Sequence, residues 1–325
     1  RMSGDIPEER AKLLAAVANV NLPSQPPPPP QIQDGPSPAE FETPLELVLA
    51  SALEIFLEFM TKYCTLGPLY AISQPLAVLK TRAVYRTLQQ SAVPTPRIQE
   101  VDEEGNLVTP PRPQLPPVTW RRLRSEEGSS ALWMGWHSRL LHMSAWQGGA
   151  VGLFDVAVYF PGNSTPALLM KSIGSIFSTI CVTHPLDVVQ TRMMAGTAGY
   201  TKTGVYQGLM RLLKDDQAYD GIGRTMLFHV LSVPVRFGYL GWFTGVGWML
   251  ALYPLERRAA IARLERTQTS NPDAPPVKRL GWFESYRDTG FQYYACLTFV
   301  ELTVSAISSA LLDVALEALE NSAGE

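Results

Sequence analysis

Two stretches decide how this chain is read. Gln74-Pro75-Leu76-Ala77-Val78-Leu79-Lys80-Thr81-Arg82 closes an apolar run that begins near Leu45. His184-Pro185-Leu186-Asp187-Val188-Val189-Gln190-Thr191-Arg192 closes another that begins near Ala167. Pro, Leu, Val, Thr and Arg recur in register, about 110 residues apart. Internal repetition of this kind points to an architecture built from copies of one unit. Each proline sits where an apolar helix meets charge. It removes one backbone hydrogen bond and bends the helix, turning its charged end toward whatever the helices enclose.

Working outward, the apolar runs number five: Leu45–Gln74, Trp133–Phe160, Ala167–His184, Ile222–Tyr253 and Tyr293–Leu316. Roughly 20 residues suffice to span a bilayer as a helix. None of the five is a uniform apolar block. Glu54, Glu58 and Lys62, spaced four apart, share one face of the first. That stripe faces a lumen, a partner or the headgroup zone rather than bare lipid. The connectors are polar. Residues 1–43 hold a short Ala11–Val20 piece and the run Pro26–Pro30, which favours an extended polyproline arm. Residues 83–130, with Pro94, Pro96, Pro110, Pro111, Pro113, Pro116 and Pro117, read as a loop. Pro161-Gly162-Asn163 reads as a tight turn.

The composition agrees with a polytopic membrane protein. Hydrophobic residues make up 46% and charged residues 18% of the 325, against about 25% charged in an average protein. The mean hydropathy of +0.01 averages apolar segments with Pro-rich connectors. A net charge of −3 and a pI near 5.9 give no basic excess for nucleic acid. Cys64, Cys181 and Cys296 lie far apart and set no disulfide framework. His137, His142, His184 and His229 show no metal-ligand spacing, so no metal and no cofactor is expected. Phosphate loops and nucleophile elbows are absent from the sequence, which leaves an enzyme without support.

The two proline stretches resemble the signature of the mitochondrial carrier family, Pro-x-acid-x-x-base-x-base, which closes each odd-numbered helix. Further matches follow each. Glu127-Gly128-Ser129-Ser130-Ala131-Leu132-Trp133-Met134-Gly135 resembles the family's acid-Gly-x(4)-aromatic-base-Gly motif, with Met134 in place of the base. Tyr206-Gln207-Gly208, Lys214-Asp215-Asp216 and Tyr219-Asp220-Gly221 resemble its second-repeat counterpart. The resemblance implies an all-α, multi-pass protein of the mitochondrial inner membrane, a bundle of tilted, Pro-kinked helices in three pseudo-repeats. These are 44–160 (with the Pro-rich loop 83–120), 161–252 and a degenerate 253–325, behind an extramembrane arm 1–43. It also implies a ring of acid–base pairs that shuts the matrix side and loosens for alternating access.

The departures are as informative. Ala77 stands at the first gate acid, while Lys80 and Arg82 remain. Asp187 and Arg192 remain in the second repeat, but Gln190 replaces the base. Tyr253-Pro254-Leu255-Glu256 begins a third signature whose basic positions hold Ala259 and Ile261. At best, then, Asp187 pairs with Lys80, and one pair makes no ring of three. Between Gly221 and Pro254 lie about 33 residues, roughly 50 Å of helix at 1.5 Å per residue. A fourth and a fifth full crossing do not both fit there. Leu311-Leu312-Asp313 at the end keeps an acid without proline or bases. Phe154-Asp155 matches the opposite gate's aromatic-acid pair, and Val158 replaces its base.

By register with the family, substrate contacts fall at His142, Phe228, His229 and Arg236, with Arg139 nearer the matrix end. Glu301 is a further intramembrane charge. His142 and His229 are either lumen ligands or packing residues. Two functions fit. One is a degenerate carrier kept as a structural or accessory subunit of a larger inner-membrane complex, such as a respiratory chain complex. Its partners are then other proteins and the bilayer, cardiolipin included. The alternative is a divergent working carrier that uses Lys80, Asp187 and Arg192.

Overall fold

The computed structural model of the chain describes residues 44–92, 100–101, 107–108, 115–158, 164–201, 203–236, 240–266 and 281–323. The arm 1–43 and the turn 161–163 lie outside them, as do the side chains of Arg236 and Asp313. The chain divides between Leu47 and Val48. The elements that build the site belong to the second unit.

The regular structure of the described residues is helical apart from one short antiparallel pair, β1 (Glu100–Val101) with β2 (Leu107–Val108). In order come α1 (Pro44–Ala92), α2 (Trp120–Glu127), α3 (Trp136–Val158), α4 (Thr165–Ala195), α5 (Val205–Lys214), α6 (Ile222–Arg236), α7 (Trp242–Ala251), α8 (Tyr253–Glu265) and α9 (Thr289–Ala323). The β pair and α2 both fall in the stretch expected to be loop. Moreover, α1 runs ten residues past Arg82, because Val84 and Leu88 keep the apolar face going and are fully buried. Thr119 caps α2 by accepting the Arg122 N–H at 3.3 Å.

The stretch expected as one long segment, Ile222–Tyr253, is two helices. A fourth and a fifth helix both fit because each is short. With 15 and 10 residues, α6 and α7 are roughly 22 and 15 Å long, and α8 continues directly from α7 beyond Leu252. One helix among the described residues, Pro166–Ala195 within α4, is long and apolar enough to cross a membrane. Large apolar side chains stand exposed on outer faces, among them Leu53 and Phe56 of α1 and Met170 and Val182 of α4.

Close backbone approach sets the contact of α1 with α3. A methyl group at Gly148 would stand 2.7 Å from Phe59 Cα, and one at Gly152 would stand 2.9 Å from Ile55 Cα. Small residues four apart permit that packing.

At the other end of the bundle one set of contacts recurs three times. Gly135, just before α3, abuts Met193 and Met194 of α4. Gly221, just before α6, abuts Ala262 and Arg263 of α8. Gly290, at the start of α9, abuts Ala83 and Val84 of α1. Counted from Pro185, Pro254 and Pro75, the touched residues lie eight and nine positions on in every case. The contacts link α3 to α4, α6 to α8 and α9 back to α1, so they close a ring. Gly135 and Gly221 have φ of 75° and 76°, a conformation that glycine adopts without a Cβ clash.

Candidate functional site: a cavity of paired charges

Residues of the two proline stretches hold corners of this ring. Gln74 donates from Nε2 to the Met134 carbonyl at 2.8 Å, and His184 Nε2 lies 3.0 Å from the Asp220 carbonyl. Each partner directly precedes a positive-φ glycine. Arg82 donates through Nε to the Met194 carbonyl at 2.9 Å, and Arg192 through Nε to the Arg263 carbonyl at 3.1 Å. Arg82 also grips Glu127 with both Nη groups at 2.8 Å. Arg192, 1% exposed, donates further to Gln217 at 2.6 Å and Asp220 at 3.1 Å. Burial pushes the Asp220 carboxyl above its ordinary pKa, against the lowering pull of Arg266 and Arg192. Ile261 lies seven residues after Pro254, as Arg82 and Arg192 lie seven after Pro75 and Pro185. That corner is fastened instead by Arg257, whose Nε lies 2.8 Å from Asp288 Oδ2, both side chains buried.

Inside the ring lies a cavity lined by α1, α3, α4, α6, α7, α8 and α9. Of the residues singled out from sequence, Lys80, Asp187, Gln190, His142, Phe228, His229 and Glu301 line it together. Arg82 and Arg192 lie at the corners instead, and Pro75 and Pro185 lie within α1 and α4. The Arg236 backbone ends α6. The His229 ring sits 4.7 Å from that of Trp146 and 5.6 Å, edge-on, from that of Phe228, so aromatic packing holds it at the cavity wall.

The expected Asp187–Lys80 pair does not form. Asp187 Oδ1 accepts from Arg263 Nη1 at 2.6 Å, and Lys80 Nζ reaches Glu256 Oε1 at 2.6 Å. The base missing at Ala259 is supplied one helical turn later by Arg263, on the same face of α8. Arg263 also donates to Thr191 Oγ1 at 3.0 Å. A third pair joins Arg139 of α3 to Glu301 of α9, with Gln74 Oε1 at 3.1 Å from the guanidinium and the Tyr70 ring beneath it. Arg263 lies outside the spacing at which the proline stretches carry their bases. The helical period, which puts residues 256, 260 and 263 on one face, carried the signal.

The cavity's chemistry follows from this inventory. Lys80, Arg139 and Arg263 contribute +3, Asp187, Glu256 and Glu301 contribute −3, and the sum with neutral histidines is zero. Every one of these charges has an opposite partner in the wall. About 100 Å³ is open to the centres of water molecules, room for several waters. No protein-family model matches the chain, and no curated protein matches it.

Proposed function

We propose that this chain is a carrier-like, multi-pass protein of the mitochondrial inner membrane that serves as a structural or accessory subunit of a larger membrane complex and does not transport. The observation that carries this reading is the mutual pairing of all six cavity charges. A metabolite anion needs a base to receive it, and here each base is already held by a carboxylate from another helix. Lys80–Glu256 ties α1 to α8, Asp187–Arg263 ties α4 to α8, and Arg139–Glu301 ties α3 to α9. The threefold recurrence of the glycine contacts supports carrier ancestry. The exposed apolar side chains and the one long apolar helix support a bilayer as surroundings.

Native electrophoresis of gently solubilised inner membranes, with mass spectrometry, tests the assignment. The chain is expected at fixed stoichiometry within a band far above its own 35.8 kDa. Migration alone at that mass would overturn it. The transporter alternative has one observation in its favour, the convergence of seven helices on a cavity walled by ion pairs. Flux in reconstituted vesicles that depends on Lys80 and Asp187 would establish that alternative.

A further inference from the structure

A second cavity lies where the end of α1, the segment Leu115–Thr119, α2 and the turn after α4 meet. It offers about 390 Å³ to the centres of water molecules, against about 100 Å³ for the central one. Arg82, Arg86 and Arg122 line it, opposed by Glu126 and Glu127, so its charge is 3 − 2 = +1. The three guanidiniums are held differently. Arg82 is fixed by Met194 and Glu127, and it fits only because Gly196, at φ 71°, has no side chain: a methyl there would stand 2.4 Å from the guanidinium. Arg86 donates to a neutral acceptor, the Pro116 carbonyl, at 2.6 Å. Arg122 pairs with Glu126 one turn along α2, with 33% and 48% of the two side chains exposed. Such an exposed pair is weakly held, so a stronger anion displaces it readily. Tyr85 and Gln89 add uncharged polar groups to the wall.

We propose that this cavity binds a phosphate group, with Arg86 and Arg122 as its contacts beside the fixed Arg82. The guanidinium fork matches phosphate oxygens in pairs, and a dianion compensates two arginines at once, which a single carboxylate does not. The phosphate can belong to a soluble ligand or to a lipid headgroup. The site stands on its own geometry and does not depend on whether the chain transports.

The test uses the full chain. In detergent micelles it is titrated calorimetrically with inorganic pyrophosphate. In parallel it is presented with nanodiscs of phosphatidylcholine, with or without phosphatidic acid. Saturable binding is expected in at least one arm. Arg86→Ala and Arg122→Ala should each weaken it about tenfold. Glu126→Gln, which removes a competitor, should strengthen it, a gain that misfolding does not produce. Arg224→Ala, an exposed arginine outside the cavity, should leave it unchanged. Binding of pyrophosphate identifies a soluble ligand, and binding confined to phosphatidic acid identifies a lipid. Absence of saturable binding in both arms, or an equal loss with Arg224→Ala and Arg86→Ala, overturns the site.

Discussion

Arg263 joins three parts of this architecture through its side chain and its backbone. Its guanidinium neutralises the buried Asp187, while its carbonyl receives Arg192 and its backbone packs on Gly221. Removing one partner of a buried pair strands the other charge at about 3–5 kcal/mol. Arg263→Ala should therefore lower the thermal unfolding midpoint of the solubilised protein sharply. Asp187→Asn combined with Arg263→Met should recover much of the loss, since no lone charge remains. A double variant no more stable than the single one would mean that the guanidinium acts through its other contacts. Glycines give a second contrast at this scale. Gly221→Ala meets both a positive φ and Ala262 Cβ at 2.7 Å, and should cost about 1–2 kcal/mol or more. Gly223→Ala, two residues on in open space, should be neutral or stabilise by up to about 1 kcal/mol.

Among the elements, α1 and α3 are joined by proximity rather than by bulk. Gly148 and Gly152 let two helix backbones come within touching distance. Gly148→Ile should force them apart at about 1–3 kcal/mol, whereas Gly174→Ile, on α4 with nothing within 4 Å, should leave the unfolding midpoint in place. Equal effects of the two would argue against a tight α1–α3 seam. The α6–α7 pair shows how a sequence too short for two crossings is used. Neither helix reaches the roughly 30 Å of a hydrocarbon core. The pair forms part of the cavity wall through Phe228, His229 and Met249 instead.

For the whole molecule, the paired charges predict silence in transport. Vesicles containing the purified chain should exchange none of a panel of anionic metabolites, and Glu256→Gln, which frees Lys80, should be the variant most apt to bind one. Deleting residues 21–43 should weaken retention in the complex on a native gel, if the Pro-rich arm contacts partners as its composition suggests. Unchanged co-migration after that deletion would remove the arm from the account.

The sequence by itself determined the apolar helical stretches and the recurrence of the two proline stretches within them. Apolar runs of the right length, interrupted by a proline and followed by glycine, fix local backbone geometry wherever they fold. Gln74, Arg82, His184 and Arg192 accordingly occupy matching positions. Lys80, Asp187, Gln190, His142, Phe228, His229 and Glu301 were legible as cavity residues for the same reason, since helical register is a local property. Only the tertiary structure decided who pairs with whom. Lys80 had to choose among acids far away in sequence, and Asp187 found its base at Arg263, outside the expected spacing. Charge pairing depends on which helix ends meet and at what height, and those distances are set by packing across the whole ring. The split of Ile222–Tyr253 into two short helices was hidden likewise, because length and hydropathy alone allow one long helix as easily as a hairpin.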